Sequence, residues 1–265
     1  MNEMSGYASV NGLRMYYEIH GAGRPLVLLH GALSATGTSF GKLIPGLARG
    51  RQVISLEQQA HGRTADIDRP LTLAQMAEDT VAALRRLGIE KADLFGWSMG
   101  AGIALQVAIE HPEVVDRLIL ASVTHSKAGF HPAVIEGVTA VTPEMLVGSP
   151  WQVEYAQIAP NPDGFAGLVA KTTAMNMNLA DWPAEAVRSV KAPTLIVVGD
   201  SDLVRPEHAV EIFRLRGGGV AGDFAGLPAS QLAILPGTTH VGVVDRADLL
   251  IPIVVAFLDK PNDAG

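Results

Sequence analysis

The sequence predicts an α/β protein built on a mostly parallel, doubly wound sheet with a helical insertion past its middle. Three observations lead there. Short apolar runs suited to strands buried on both faces, such as residues 25–29 and 195–198, alternate with helical patterns. Residues 92–95 form a strand-like run followed by Gly96-Trp97-Ser98-Met99-Gly100. Residues 101–109 then consist only of Ala, Gly, Ile, Leu, Gln and Val, which reads as strand, sharp turn, helix. Between residues 123 and 190 the alternation stops, and helical fragments broken by Pro and Gly take its place.

In chain order, residues 7–10 and 13–17 flank Asn11-Gly12, a dipeptide that favours both positive-φ positions of a type I′ turn, so the chain opens on a hairpin. A strand over 25–29, a helix over 39–48 and a strand over 52–56 follow. Thr72 is placed as an N-cap, with Gln75 at the capping-box position, for a helix ending at Gly88. His111-Pro112 stops the helix after the Ser98 turn, and residues 118–122 form the next strand. The fragments 132–138, 143–146, 151–158 and 164–173 are read as a helical lid. The core is then 1–122 with 191–265, and the lid is 123–190. The alternation resumes with a strand over 194–199, a helix opened by Pro206, a strand over 231–235 and a final helix over 248–258 capped by Asp248.

Composition removes several kinds of chemistry. Without cysteine there is no disulfide, thiolate nucleophile or Cys-ligated zinc. Lys plus Arg is 20 and Asp plus Glu is 27, giving a net charge of −7 with no basic cluster, so nucleic acid is not an expected partner. The longest run free of polar side chains, 249–258, is too short to span a bilayer, and no membrane partner is expected. Residues 1–6 lack the basic start and apolar run of a signal peptide, so a cytoplasmic protein is expected. Gly217 to Gly222 has the spacing of a dinucleotide fingerprint, but it follows a helix rather than a strand and reads as a loop.

Gly-x-Ser-x-Gly between a strand and a helix holds its serine in a strained turn at the top of a sheet, which makes Ser98 the candidate nucleophile. A serine hydroxyl needs a general base, and the base a third group to orient it. Of eight histidines, His30, His61 and His240 lie in loops just after strands, where functional groups of a doubly wound sheet gather. His240 follows the last strand and is the preferred base, while His30 and His61 are assigned to loop shaping. After the strand ending at Gly199 stand two carboxylates, Asp200 and Asp202. Asp202 is preferred because it lies further into the loop, with Asp200 left to cap the turn. Backbone N–H groups of Met99 and Ala32, or Leu33 in its place, are the expected oxyanion donors. Trp151, Tyr155 and Trp182 of the insertion are offered as substrate-pocket walls, with the insertion's own core as the equal alternative. No metal or cofactor is required.

His30-Gly31, His61-Gly62, the turn from Gly96 to Gly100, Gly199-Asp200-Ser201-Asp202 and Gly237 to His240 together resemble an α/β-hydrolase fold serine hydrolase, and the likeness covers nearly the whole chain. The resemblance implies a carboxylic-ester hydrolase working through an acyl-enzyme on a small ester or lactone. In similar proteins the acid lies three residues after the glycine that ends its strand, which supports Asp202. Lactone opening, C–C cleavage and peracid formation use the same residues, and some members of the fold are ligand receptors. One departure is present: many relatives place an aspartate early in the loop before His61, where this chain has Glu57-Gln58-Gln59-Ala60.

Overall fold

A computed structural model describes residues 3–260. Its eight strands are β1 (Glu3–Val10), β2 (Leu13–His20), β3 (Arg24–Leu29), β4 (Arg51–Leu56), β5 (Ala92–Trp97), β6 (Val115–Ala121), β7 (Thr194–Ser201) and β8 (Ser230–Thr239), in the order β1-β2-β4-β3-β5-β6-β7-β8. β1 with β2 and β2 with β4 are antiparallel, and every other pair is parallel. β8 pairs only with β7 and forms one edge of the sheet.

Apolar residues on both sides of β3, β5 and β6 produce two cores. One packs beneath the helices Leu73–Arg86 and Met99–Glu110, and the other beneath Ile44–Leu47 and Ala247–Leu258 with Phe40 and Phe95 at its centre. Each fully buried Leu, Ile or Phe contributes about 1.5–3 kcal/mol relative to exposure, so the central strands anchor the molecule. No helix of the described residues is long and apolar enough to cross a membrane.

Local chemistry explains where elements start and stop. Asn11 and Gly12 have φ of 47° and 82°, as the hairpin turn requires. The single helix expected over 39–48 is instead two, Thr36–Phe40 and Ile44–Leu47, because Pro45 has no N–H to continue the first and opens the second. Thr72 caps its helix by accepting the Gln75 N–H at 3.1 Å, but the Gln75 side chain does not complete the capping box. It donates to the buried Asp79 carboxylate at 3.2 Å. The last helix begins at Ala247, one residue before the expected cap, because the Asp248 carboxylate pairs with Arg246.

Asp79 also accepts from Asn11 Nδ2 at 2.9 Å and pairs with Arg69 at 2.5 Å, so one carboxylate joins the first hairpin, a loop and a helix. Removing one member of a buried pair costs about 3–5 kcal/mol, against about 1 kcal/mol for a lost N-cap. Asp79→Ala is therefore expected to lower the midpoint of thermal unfolding several times as far as Thr72→Ala. Equal shifts in differential scanning calorimetry would show that Asp79 carries no such load.

Candidate active site

The turn between β5 and the helix Met99–Glu110 fixes the site. Ser98 sits at φ 54°, ψ −119°, a backbone region that L-residues rarely occupy, and its N–H donates to the Ala121 carbonyl of β6 at 2.9 Å. Only glycine fits on either side. A Cβ at Gly96 would lie 2.1 Å from the Gly100 carbonyl oxygen, and one at Gly100 would lie 1.9 Å from that of Leu29.

The sequence-expected partners converge on this serine. His240, in the loop after β8, has Nε2 2.9 Å from Ser98 Oγ and Nδ1 2.7 Å from Asp202 Oδ1. Asp202 is buried. Its Oδ2 accepts from Ser122 Oγ at 2.6 Å and from the Gly199 N–H at 3.2 Å, while Oδ1 also takes the Val204 N–H at 3.1 Å. Burial pushes the carboxyl up, but the hydrogen bond and charge of His240, with the bonds from Ser122 and Val204, outweigh it and leave the acid below the usual carboxylate range. An ionised Asp202 fixes the His240 tautomer with its proton on Nδ1, leaving Nε2 free to accept from the serine hydroxyl. Asp200 plays the other part: its exposed carboxylate accepts the Gly237 and Thr238 N–H groups at 2.8 and 3.1 Å, clamping the loop that carries His240. This pairing also carries β8 past Pro236 to Thr239, beyond the strand expected over 231–235.

Ala32 and Met99 line the same cavity as Ser98, and among the described residues no backbone carbonyl takes either N–H. The loop that holds Ala32 is tied internally by Ser34 Oγ donating to Gly31 O at 2.8 Å, and its next residue, Leu33, adopts φ 64°.

The cavity, about 280 Å³, is walled largely by apolar side chains of the segment between β6 and β7. Trp151 and Trp182 line it. Tyr155 does not: it is buried against Phe165 with ring centroids 5.4 Å apart, as part of the segment's own core, and is corrected from pocket wall to packing residue. Trp182 Nε1 donates to Gln106 Oε1 at 2.6 Å, which holds the indole over the first turns of the helix that follows Ser98. Two contributors had no signal in the sequence. Ser122, the residue after β6, reaches Asp202, and Trp97, the last residue of β5, donates from Nε1 to the His240 carbonyl at 3.2 Å.

His30, His61 and Glu57 shape the neighbouring loops. The Gln58 N–H donates to His30 Nε2 at 2.9 Å, so His30 Nδ1 bears the proton and donates to Gly31 O at 2.8 Å, while His61 Nδ1 bonds Gln59 O at 2.8 Å. Glu57 opens the stretch before His61, and its buried carboxylate takes the Arg63 N–H at 2.5 Å and the Thr36 N–H at 3.4 Å. It ties two loops together rather than facing the cavity. A further cluster, His125, His208 and Glu211, has the composition of a metal site. Its rings are stacked at 4.5 Å, His208 Nε2 is occupied by the His125 N–H and its Nδ1 lies 2.9 Å from Glu211, which is the geometry of a hydrogen-bonded network rather than of lone pairs converging on one ion.

A sheet in this order, with a serine on a strained turn after β5 and a histidine in the loop after the last strand, defines a hydrolase of the α/β type. Residues 24–166, more than half of the chain, match the family described as alpha/beta hydrolase fold, and the chain belongs to that family. It is similar to the protein named "Putative carbamate hydrolase RutD" of Rhizobium rhizogenes strain K84, with 26% identity over 215 residues covering 72% of this chain and 81% of that one. The enol-lactonase from Burkholderia xenovorans LB400 superposes with a TM-score of 0.72 at 19% identity, covering 96% of this chain and 100% of the other. Carboxylesterase CesB from Bacillus subtilis also gives 0.72, at 17% identity, covering 99% and 93%. At these identities the two structures share its fold.

Burial lowers His30 to about 4, and burial with the charge of His30 lowers His61 to about 3, so the folded protein holds both rings neutral. The unfolded chain protonates them below the ordinary value of 6.5, so their contribution to stability is complete above that pH and is lost as pH falls toward 4 and then 3. The melting temperature is expected to drop through this window, and by less in His61→Gln. Thermal melts at stepped pH with parallel slopes for both proteins would contradict this.

Proposed function

We propose that the protein hydrolyses carboxylic esters through an acyl-enzyme formed on Ser98. One observation carries the reading: Asp202, His240 and Ser98 form an unbroken hydrogen-bonded chain, at 2.7 and 2.9 Å, that opens into an apolar cavity. In the first half-reaction His240 Nε2 takes the hydroxyl proton as Ser98 Oγ attacks the carbonyl carbon. The Ala32 and Met99 N–H groups meet the developing oxyanion, and His240 returns the proton to the departing alkoxide. Water, deprotonated by the same histidine, then releases the acid and restores Ser98. Asp202 keeps the imidazole in the required tautomer throughout. That a carboxylesterase and an enol-lactonase share this fold supports ester chemistry, and cyclic esters fall within the same mechanism.

The helical segment between β6 and β7 acts in this reading as a lid that sets specificity. Its Trp182 lies, with Leu73, Met175 and residues 179–181, between the cavity and a second cleft of about 560 Å³, lining both. A Cβ at Gly102 would lie 3.0 Å from Leu73 Cδ1 and 3.6 Å from Trp182, so these two side chains sit directly over the helix after Ser98.

Ser98→Ala is expected to abolish hydrolysis of a p-nitrophenyl ester panel, and a fluorophosphonate to label Ser98 alone. Asp202→Asn should lower kcat by about 10⁴-fold, the scale seen when a triad acid becomes its amide, with Asp200→Asn costing far less. Retained activity in Ser98→Ala would defeat the reading, and the reverse ranking of the two aspartates would move the orienting role to Asp200. A ligand held without turnover would point to a receptor instead.

Trp182→Ala should join the two cavities and raise kcat/KM for long acyl or alcohol chains relative to short ones, while the smallest activated ester stays within about tenfold, or roughly 1.4 kcal/mol of barrier. A uniform loss across chain lengths with a lower melting temperature would make Trp182 a core residue. The same comparison applies to Trp151→Ala.

A further inference from the structure

Trp97 occupies the variable position before Ser98, where the turn itself asks nothing of the side chain, yet it is only 3% exposed. Its Nε1–H donates to the main-chain carbonyl of His240 at 3.2 Å, and among the described residues no backbone N–H takes that carbonyl. Its rings lie beside the His240 imidazole, with centroids 5.6 Å apart and planes inclined by 38°. Its other edge lies against the loop after β3, where a Cβ on Gly31 would come within 2.5 Å of Trp97 Cζ3. One indole therefore touches both the loop carrying the base and the loop carrying Ala32, while its backbone leads directly into Ser98.

We propose that Trp97 is a positioning residue that sets the orientation of His240 toward Ser98. The proposal rests on the reading of Ser98 and His240 as nucleophile and base. Orientation follows from the hydrogen bond. His240 lies in a loop at the edge of the sheet, and a donor from the nucleophile's own strand fixes that loop relative to Ser98 Oγ. Misplacing a reacting group by about 1 Å can cost on the order of 100-fold in rate. Asp202, bonded to Nδ1, and Asp200 and Arg246, which reach the same loop through Gly237, Thr238 and Pro236, remain in Trp97 variants, so a change in rate at unchanged KM reports the indole.

The test is the rate of fluorophosphonate labelling of Ser98, with kcat and KM on a p-nitrophenyl ester, for wild type, Trp97→Phe, Trp97→Leu and Ser98→Ala, with thermal melts to show that each is folded. Trp97→Leu loses both the N–H and the ring. Its labelling is expected to slow by about 10- to 100-fold, with kcat falling in proportion and KM near wild type. Trp97→Phe, which keeps a ring but no N–H, should also slow labelling and lower kcat at a melting temperature near wild type, which separates the bond from packing. It also keeps the test usable if the leucine variant does not fold. Wild-type rates in both variants would overturn the proposal, as would slower labelling in Trp97→Leu with a lowered melting temperature beside wild-type rates in Trp97→Phe, which marks a packing residue. Labelling that persists in Ser98→Ala would instead defeat the underlying reading of the site.

Discussion

The close approach of β5, the helix Met99–Glu110 and β3 is the constraint from which the rest of the site follows. Gly96 faces the Gly100 carbonyl and Gly100 faces that of Leu29, so the helix enters nearly in contact with two strands. Ser98 is forced to a positive φ at the tip. That conformation costs of order 1–3 kcal/mol and persists because the buried strands on either side over-determine it. The same crowding places Ser98 and Met99 side by side in the wall of the cavity. Leu33 and Ser122, also at positive φ, line the cavity too. Backbone strain thus gathers where three loops must converge within hydrogen-bonding distance.

Around this point the carboxylates divide their tasks by burial. Asp202 is nearly dry and fully bonded, so it stays ionised and directional. Asp200, two residues earlier, is exposed and holds backbone rather than side chain. Glu57 is buried away from the cavity, where burial pushes its carboxyl up and Arg63 opposes the push. It joins the loop after β4 to the segment after β3 through Thr36. His30 and His61, both fully buried, do similar work with neutral rings. The polar residues beneath the cavity therefore maintain the backbone, and the catalytic geometry rests on that maintenance.

Much of this arrangement was legible because it is written in local rules. Asn11-Gly12 specifies a hairpin, apolar runs specify buried strands, and a serine between two glycines specifies the turn. The rule that loops at the carboxyl ends of strands meet brings Ser98, Asp202 and His240 together, as their hydrogen bonds do. What escaped the sequence depends on contacts between distant segments. The Gly-x-Ser-x-Gly pattern leaves the position of Trp97 open, so nothing in it announces a bond to a carbonyl 143 residues away. Ser122 looks like the end of a strand until β7 is laid beside it. Tyr155 and Trp151 lie four residues apart on one short helix, and periodicity alone could not say which turns inward to Phe165 and which faces the cavity. Gln75 and Asp248 sit at favoured capping positions, but stronger charged partners, Asp79 and Arg246, claim their side chains.

β8 gives the molecule an asymmetry of a different kind. The serine stands in the middle of the sheet, held from both sides by parallel neighbours, whereas the histidine follows a strand with a partner on one side only. Proteins open first where few buried contacts resist, and edges lie at that end of the scale. The loop after β8 is therefore held to the central strands by the Asp200 carboxylate and the Trp97 indole rather than by a second neighbouring strand, so two side chains do there what sheet pairing does on both sides of Ser98.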